Sequence, residues 1–102
     1  MNINALMQQA QKMQQQMNKK QKELESKEYE FSSNGGAIKI KMLGTREIIS
    51  LEIDEDLIDK EEKDMLQDML MIAINEAISK IDEEFADTMN SFGAGMKIPG
   101  MF

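Results

Sequence analysis

Cysteine, histidine and tryptophan are all missing from this 102-residue chain. Without thiols there are no disulfides, thiolate metal sites or cysteine nucleophiles, and the composition suits a reducing compartment. Without imidazole the commonest general base and the commonest zinc ligand are gone. One proline and an aromatic content of 5% leave aliphatic and methionine side chains to build the core. Long apolar runs are missing too. The longest, Met69 to Ile74, falls far short of the roughly 20 residues that span a bilayer. The opening MNINALMQQA lacks the cationic start and apolar stretch of a secretory signal. These absences predict a soluble cytoplasmic protein with no membrane partner, no cofactor or metal, and no small-molecule substrate.

One shortage is local. The net charge is −7, yet the first 22 residues contain no Asp or Glu. They carry Lys12, Lys19, Lys20 and Lys22 among Gln, Asn, Met and Ala. Residues 1–47 hold eight Lys/Arg against five Asp/Glu, whereas residues 48–102 hold four against fourteen. Such segregation suggests that the basic segment faces a polyanion while the acidic remainder governs solubility or repels unwanted partners.

Ile3, Leu6, Ala10, Met13, Met17 and Leu24 recur at spacings of three and four or their sums, close to a heptad helix. At about 100° per residue they share one face, and Lys12, Lys19 and Lys22 fall opposite with Gln8, Gln11 and Gln15. Lys20 and Lys27 border the stripe. A helix of about 25 residues is nearly 40 Å long, too long for a globule of this size, so part of its stripe is expected to need a second chain.

Period two follows. Tyr29 and Phe31, then Ile38, Ile40 and Met42, then Ile49, Leu51 and Ile53 alternate with polar residues, which predicts three strands. Ser33-Asn34-Gly35-Gly36 and Gly44-Thr45 read as the two tight turns. The sum is an antiparallel meander, apolar on one face. A second helix is expected from about Glu61 to about Asn90, its start favoured by the acids of Asp59–Asp64. The run Met69-Leu70-Met71-Ile72-Ala73-Ile74 is apolar all round, so it should be covered by the sheet on one side and another subunit on the other. Met69, Leu70, Met71, Ile72 and Ile74 are therefore the expected dimer interface. Ser91–Phe102 holds three of the six glycines and the only proline, and reads as a flexible tail after a single domain of residues 1–90. The fold class is α+β in the order α-β-β-β-α. Homodimerisation is the economical way to cover long helices and exposed strand edges.

Sharper motifs fail their tests. Asp54, Glu55, Asp56 and Asp59 lack the central glycine and terminal glutamate of a Ca²⁺ loop, so they read as a helix start. No carboxylate pair is marked as buried together, and Asn34-Gly35-Gly36 between strands is a hairpin turn, not a phosphate loop. Of the eleven methionines, Met7, Met13, Met17, Met65 and Met69 sit at helical core spacings, whereas Met96 and Met101, in the tail, do not and read as docking on a partner or on the dimer itself. Catalytic residues are not expected. The basic set is the candidate site: the lysines and glutamines above, with Lys39, Lys41 and Arg46 as a further basic face. Gln and Asn side chains add hydrogen bonds to phosphates or bases.

In this order the chain resembles the YbaB/EbfC family of bacterial nucleoid-associated proteins. Met7-Gln8-Gln9-Ala10-Gln11-Lys12-Met13-Gln14, with Met17 and Gln21-Lys22-Glu23-Leu24, is similar to the family's opening helix. Gly35-Gly36-Ala37-Ile38-Lys39-Ile40 resembles its glycine turn and second strand, and Ile53-Asp54-Glu55-Asp56-Leu57 its strand-to-helix junction. Met65-Leu66-Gln67-Asp68-Met69-Leu70 and Ala73-Ile74-Asn75-Glu76-Ala77 resemble its last helix, and Ile98-Pro99-Gly100-Met101-Phe102 its ending. The resemblance implies a tweezer-like intertwined dimer that binds double-stranded DNA through helical arms, located in the nucleoid, with roles in nucleoid organisation and gene regulation. The contrasting expectation, from long paired helices and methionine, is a chaperone-like module that holds protein clients between its arms.

Overall fold

The computed structural model describes residues 2–95, in the order helix, three strands, helix. The first helix, α1, spans Ile3–Ser26. The Asn2 side chain caps it, accepting from the backbone N–H of Asn4 at 3.0 Å and of Ala5 at 3.4 Å, donors that a first turn leaves open. The helix ends where period-two alternation takes over. Ser26 Oγ donates back to the Lys22 carbonyl at 3.1 Å, and Lys27 is extended at φ −71° and ψ 140°.

The strands β1 (Glu28–Ser33), β2 (Ile38–Leu43) and β3 (Ile48–Ile53) form one antiparallel sheet in the order β1-β2-β3. Tyr29 stands opposite Met42, Phe31 opposite Ile40, and Ile40 opposite Leu51. Period two therefore gathers these side chains on one face and sends Glu30, Lys41, Lys39 and Glu52 to the other. The first hairpin turns through three left-handed residues, Asn34, Gly35 and Gly36, with φ of 54°, 68° and 93°, a path that Asn tolerates and Gly adopts freely.

The second hairpin differs from the sequence reading. Its left-handed residue is Arg46, at φ 77°, with its N–H donating to the Leu43 carbonyl at 2.8 Å. Lys41 pairs with Ser50 but Met42 with Ile48, which leaves Ile49 as an extra residue. Ile48, not Ile49, takes the place opposite Met42. The turn closes one residue late, and a bulge absorbs the difference.

Two single 3₁₀ turns, Glu55–Leu57 and Lys60–Glu62, lead into α2, Lys63–Gly95. The Asp54 and Asp59 carboxylates cap these turns, accepting from the N–H groups of Asp56 and Glu61 at 3.0 Å each. The helix proper thus starts two residues after Glu61, and it continues past Asn90. The first five residues of the expected tail are helical. A glycine costs a helix only about 1 kcal/mol, and no proline intervenes before Pro99. The rest of the tail, 96–102, lies outside the described residues.

Tyr29, Ile38, Ile40 and Met42 from the sheet close on Ala73, Ala77 and Ile81 of α2 to form the core. The two alanines, one turn apart, let the helix axis approach the sheet. Met69, Leu70 and Ile74 border this core, whereas Met71 and Ile72 face outward. The expected interface run is thereby split between the chain's own core and an open surface. The helix packs on β1 and β2. At β3, Ile48, Ile49 and Leu51 remain 41%, 46% and 43% exposed.

The molecule measures 71 × 27 × 17 Å, and its radius of gyration is 20.1 Å, against about 13 Å for a compact chain of this length. The excess is α1. At about 1.5 Å per residue it is about 36 Å long, and apart from Leu24 it has no fully buried residue.

Candidate nucleic-acid interface

Charge on the arm is sorted by position. Lys12, Lys19 and Lys22 are exposed and, among the described residues, make no ion pair. They cover about 15 Å of helix, with Gln8, Gln11 and Gln15 exposed on the same side. Lys20 leans on Glu23 at 3.6 Å. Three of the other cations of the expected site, Lys27, Lys41 and Arg46, have acidic partners. Lys27 Nζ meets Glu84 of α2 at 2.8 Å and lies 4.9 Å from the centre of the Tyr29 ring. Arg46 pairs with Asp82, its Nε donating at 2.9 Å, and its guanidinium stands 5.8 Å from the Phe85 ring. Lys41 reaches Glu30 at 3.6 Å, and Lys39 sits opposite Glu52.

Lys39 and Lys41 are the part of the expected basic set that β2 carries. They line a shallow depression of about 490 Å³ on the outer side of the sheet with Glu30, Ser32, Ser50 and Glu52, a surface of both signs. Lys27 ties the end of α1 to α2, and Arg46 ties the β2–β3 turn to it. Of the expected basic set, Lys12, Lys19, Lys22 and Lys39 make no ion pair among the described residues.

Gly44 fixes the base of the arm. Its N–H donates to the Lys27 carbonyl at 3.0 Å. A Cβ at this position would stand 1.7 Å from the Leu24 carbonyl oxygen and 2.9 Å from Glu25 Cα. The end of α1 thus lies directly on the β2–β3 turn, backbone to backbone. Sequence reading finds Gly44 as a turn residue but not this contact, and it does not single out Asp82 or Glu84. No local pattern reports a partner 36 or 57 positions away.

The Lys27 contact has electrostatic consequences. Hydrogen bonding from Lys27, offset in part by burial, holds the Glu84 carboxyl below its ordinary range. Burial, and then the neighbouring Glu84 carboxylate, push Tyr29 from 10.0 up to about 12. The Tyr29 hydroxyl is buried without a hydrogen bond of good geometry, and the nearby Glu84 carboxylate disfavours its ionisation. The fold favours the neutral phenol, so this stabilisation is whole below pH 10 and lost as pH rises from 10 towards 12. Tyr29 is the only tyrosine, so ultraviolet titration reads it alone. We expect a midpoint near 12 in the folded protein, with unfolding setting in above pH 10. A midpoint near 10 before any unfolding would mean that the ring is open to water.

The chain is similar to known proteins over nearly its whole length. The sequence model described as the YbaB/EbfC DNA-binding family matches residues 1–96. A nucleoid-associated protein from Clostridium novyi is 50% identical over 102 residues, covering 100% of this chain and 90% of the relative. Another from Oceanobacillus iheyensis is 44% identical over 101 residues, covering 99% of this chain and 97% of the relative. The crystal structure of an uncharacterized protein from Helicobacter pylori superposes with a TM-score of 0.71 at 22% identity, covering 89% of this chain and 96% of that one. It shares the fold.

Proposed function

The chain belongs to the YbaB/EbfC DNA-binding family, and we propose that it acts as a nucleoid-associated homodimer gripping double-stranded DNA through the lysine face of α1. The observation that carries this reading is the row Lys12, Lys19 and Lys22 on an arm free of acids through residue 22. Duplex DNA presents one negative charge per roughly 1.7 Å of axis, so an ammonium row about 15 Å long along a rigid helix finds phosphates in any register. Arg46, the chain's one arginine, is held by Asp82 and does not offer the bidentate base contact that most often reads sequence. Contacts of this kind position without specifying. They suit nucleoid organisation, and gene regulation through DNA shape rather than a sharp operator code.

The dimer is supported by what one copy leaves uncovered: the apolar residues of the edge strand β3, and Met71 and Ile72 on α2. A six-residue edge strand with exposed isoleucine and leucine invites pairing with a second copy. Localisation follows the DNA, in the nucleoid, and the reading assigns no catalytic step and no cofactor.

A salt titration of duplex binding, alongside a solution mass measurement, tests both parts. Three lysines from each of two arms make six phosphate contacts, for which binding should weaken by about 10³-fold between 50 and 200 mM salt. The mass should be that of two chains. Absence of duplex binding at low salt, with suppressed aggregation of an unfolded client, would favour the client-holding reading instead.

A further inference from the structure

The apolar stripe of α1 loses its cover towards the end that Asn2 caps. Leu24 is buried and Met17 and Met13 are half-buried, whereas Leu6, Met7 and Ile3 stand 48%, 56% and 68% exposed. The spacing of the stripe is that of a coiled-coil seam. With Ile3 at heptad position a, Ala10, Met17 and Leu24 repeat at a, and Leu6, Met13 and Lys20 fall at d. The flanking positions e and g usually carry the charges that select a partner. Here they hold Met7, Gln14 and Gln21 at e and Asn2, Gln9 and Gln16 at g, with no charge before Glu23. Lys12, Lys19 and Lys22 take positions c and f, away from the seam. A seam without charged flanks has no means of choosing a helix of opposite sign, and an identical stripe meets it without repulsion.

We propose that the outer part of α1, from Ile3 to Met13, pairs antiparallel with the same stretch of a second copy. Around a two-fold axis level with Gln8, Leu6 then meets Ala10 of the other copy and Ile3 meets Met13, so that large residues face small ones at the centre. A parallel pair in register would set Ala10 on Ala10, leave a hollow there, and crowd the two sheets together at one end. The overlap is about 16 Å long and buries far less than the roughly 1,600 Å² of a standard complex. It is therefore not the contact that makes the dimer, for which the exposed edge of β3 remains. It joins one dimer to the next where DNA concentrates them, a step that rests on the DNA reading above. The lysines of the two paired arms then point to opposite sides, and the seam becomes a bridge between two duplexes.

The absence of cysteine makes the test clean. Met7, beside the axis, stands next to its own counterpart in the antiparallel pair, whereas Gln8 faces away. Oxidised as concentrated protein without DNA, a Met7→Cys chain should form chain-to-chain disulfides about tenfold faster or more than a Gln8→Cys chain. The native mass of the product should be at least double that of the uncrosslinked protein. Equal rates would overturn the proposal. So would crosslinked protein of unchanged native mass, because the arms would then pair within one dimer. Ile3→Gln with Leu6→Gln tests the bridge and leaves every lysine in place. This variant should bind a single duplex within about twofold of the parent, while its capture of a second, labelled duplex onto a bead-bound one falls about tenfold or more. Undiminished capture would refute the seam. If neither protein binds duplex at all, the DNA reading falls, and the disulfide rates still decide the pairing.

Discussion

Replacing Lys12, Lys19 and Lys22 together with glutamine is expected to abolish duplex binding and leave the fold intact. In a dimer the change removes six ammonium groups, and the slope of log affinity against log salt should fall from about −5 towards zero. Glutamine is nearly as good a helix former as lysine, and none of the three side chains pairs with another part of the described structure, so thermal stability should hold. Lys20→Gln should cost little, because Lys20 already leans on Glu23. Lys39→Gln with Lys41→Gln should cost little as well, because these two lie among Glu30 and Glu52. A triple variant that binds duplex with undiminished affinity would remove α1 as the site, and a large loss from the Lys39 and Lys41 pair would move the site to the sheet.

The net charge makes this distribution necessary. A dimer carries twice the −7 of the chain, and phosphate is repelled by most of its surface. Two acids of α2 near the base of the arm are already paired: Glu84 with Lys27 and Asp82 with Arg46. Pairing at the base of α1 thus neutralises carboxylates that would otherwise face the same duplex, and the unpaired lysines lie farther out. Exposed pairs of this kind are worth little in stability. In the proposed complex, their position beside the duplex gives them an electrostatic use all the same.

How much of this was legible beforehand depends on the range of the interactions. The helix α1 is written in the spacing of Ile3, Leu6, Ala10, Met13 and Met17, and the strands in the alternation of Tyr29 with Phe31 and of Ile38, Ile40 and Met42. Those are local periods, and the element order read from them is the one observed. The bulge at Ile49 was not legible, because it depends on Arg46 taking a left-handed φ of 77°, which the residue type disfavours. The division of the cations was hidden as well. Lys27 and Lys22 look alike in sequence, and only packing against α2 brings Glu84 to one and not to the other. The apolar run from Met69 to Ile74 announced burial on two sides, but only the coordinates assign Met69, Leu70 and Ile74 to the core and leave Met71 and Ile72 open.

Gly44→Ala is expected to be the most damaging single methyl addition in the described structure. Gly44 does not have the left-handed φ seen at Gly35 and Gly36, so alanine meets no backbone strain of its own. The penalty is contact alone. The new Cβ would fall 1.7 Å from the Leu24 carbonyl oxygen and 2.6 Å from its carbon, and these are main-chain atoms of a capped helix that cannot rotate aside. Either the turn lifts from α1, losing the 3.0 Å hydrogen bond from Gly44 N–H to Lys27 and loosening the Glu84 contact, or the sheet gives way. Overpacking of this kind costs about 1–3 kcal/mol or more, which for a domain of this size lowers the melting temperature by roughly 10 °C. Thr45→Ala, one residue on and exposed, should change it by less than about 2 °C, since surface substitutions stay within about ±0.5 kcal/mol. Duplex affinity should fall with the loosening even though every lysine remains, because a row of cations on a swinging arm must be ordered before it can bind. A Gly44→Ala protein as stable and as tightly binding as the parent would show that α1 does not rest on the turn at Gly44, and the rigid arm would have to be given up with it.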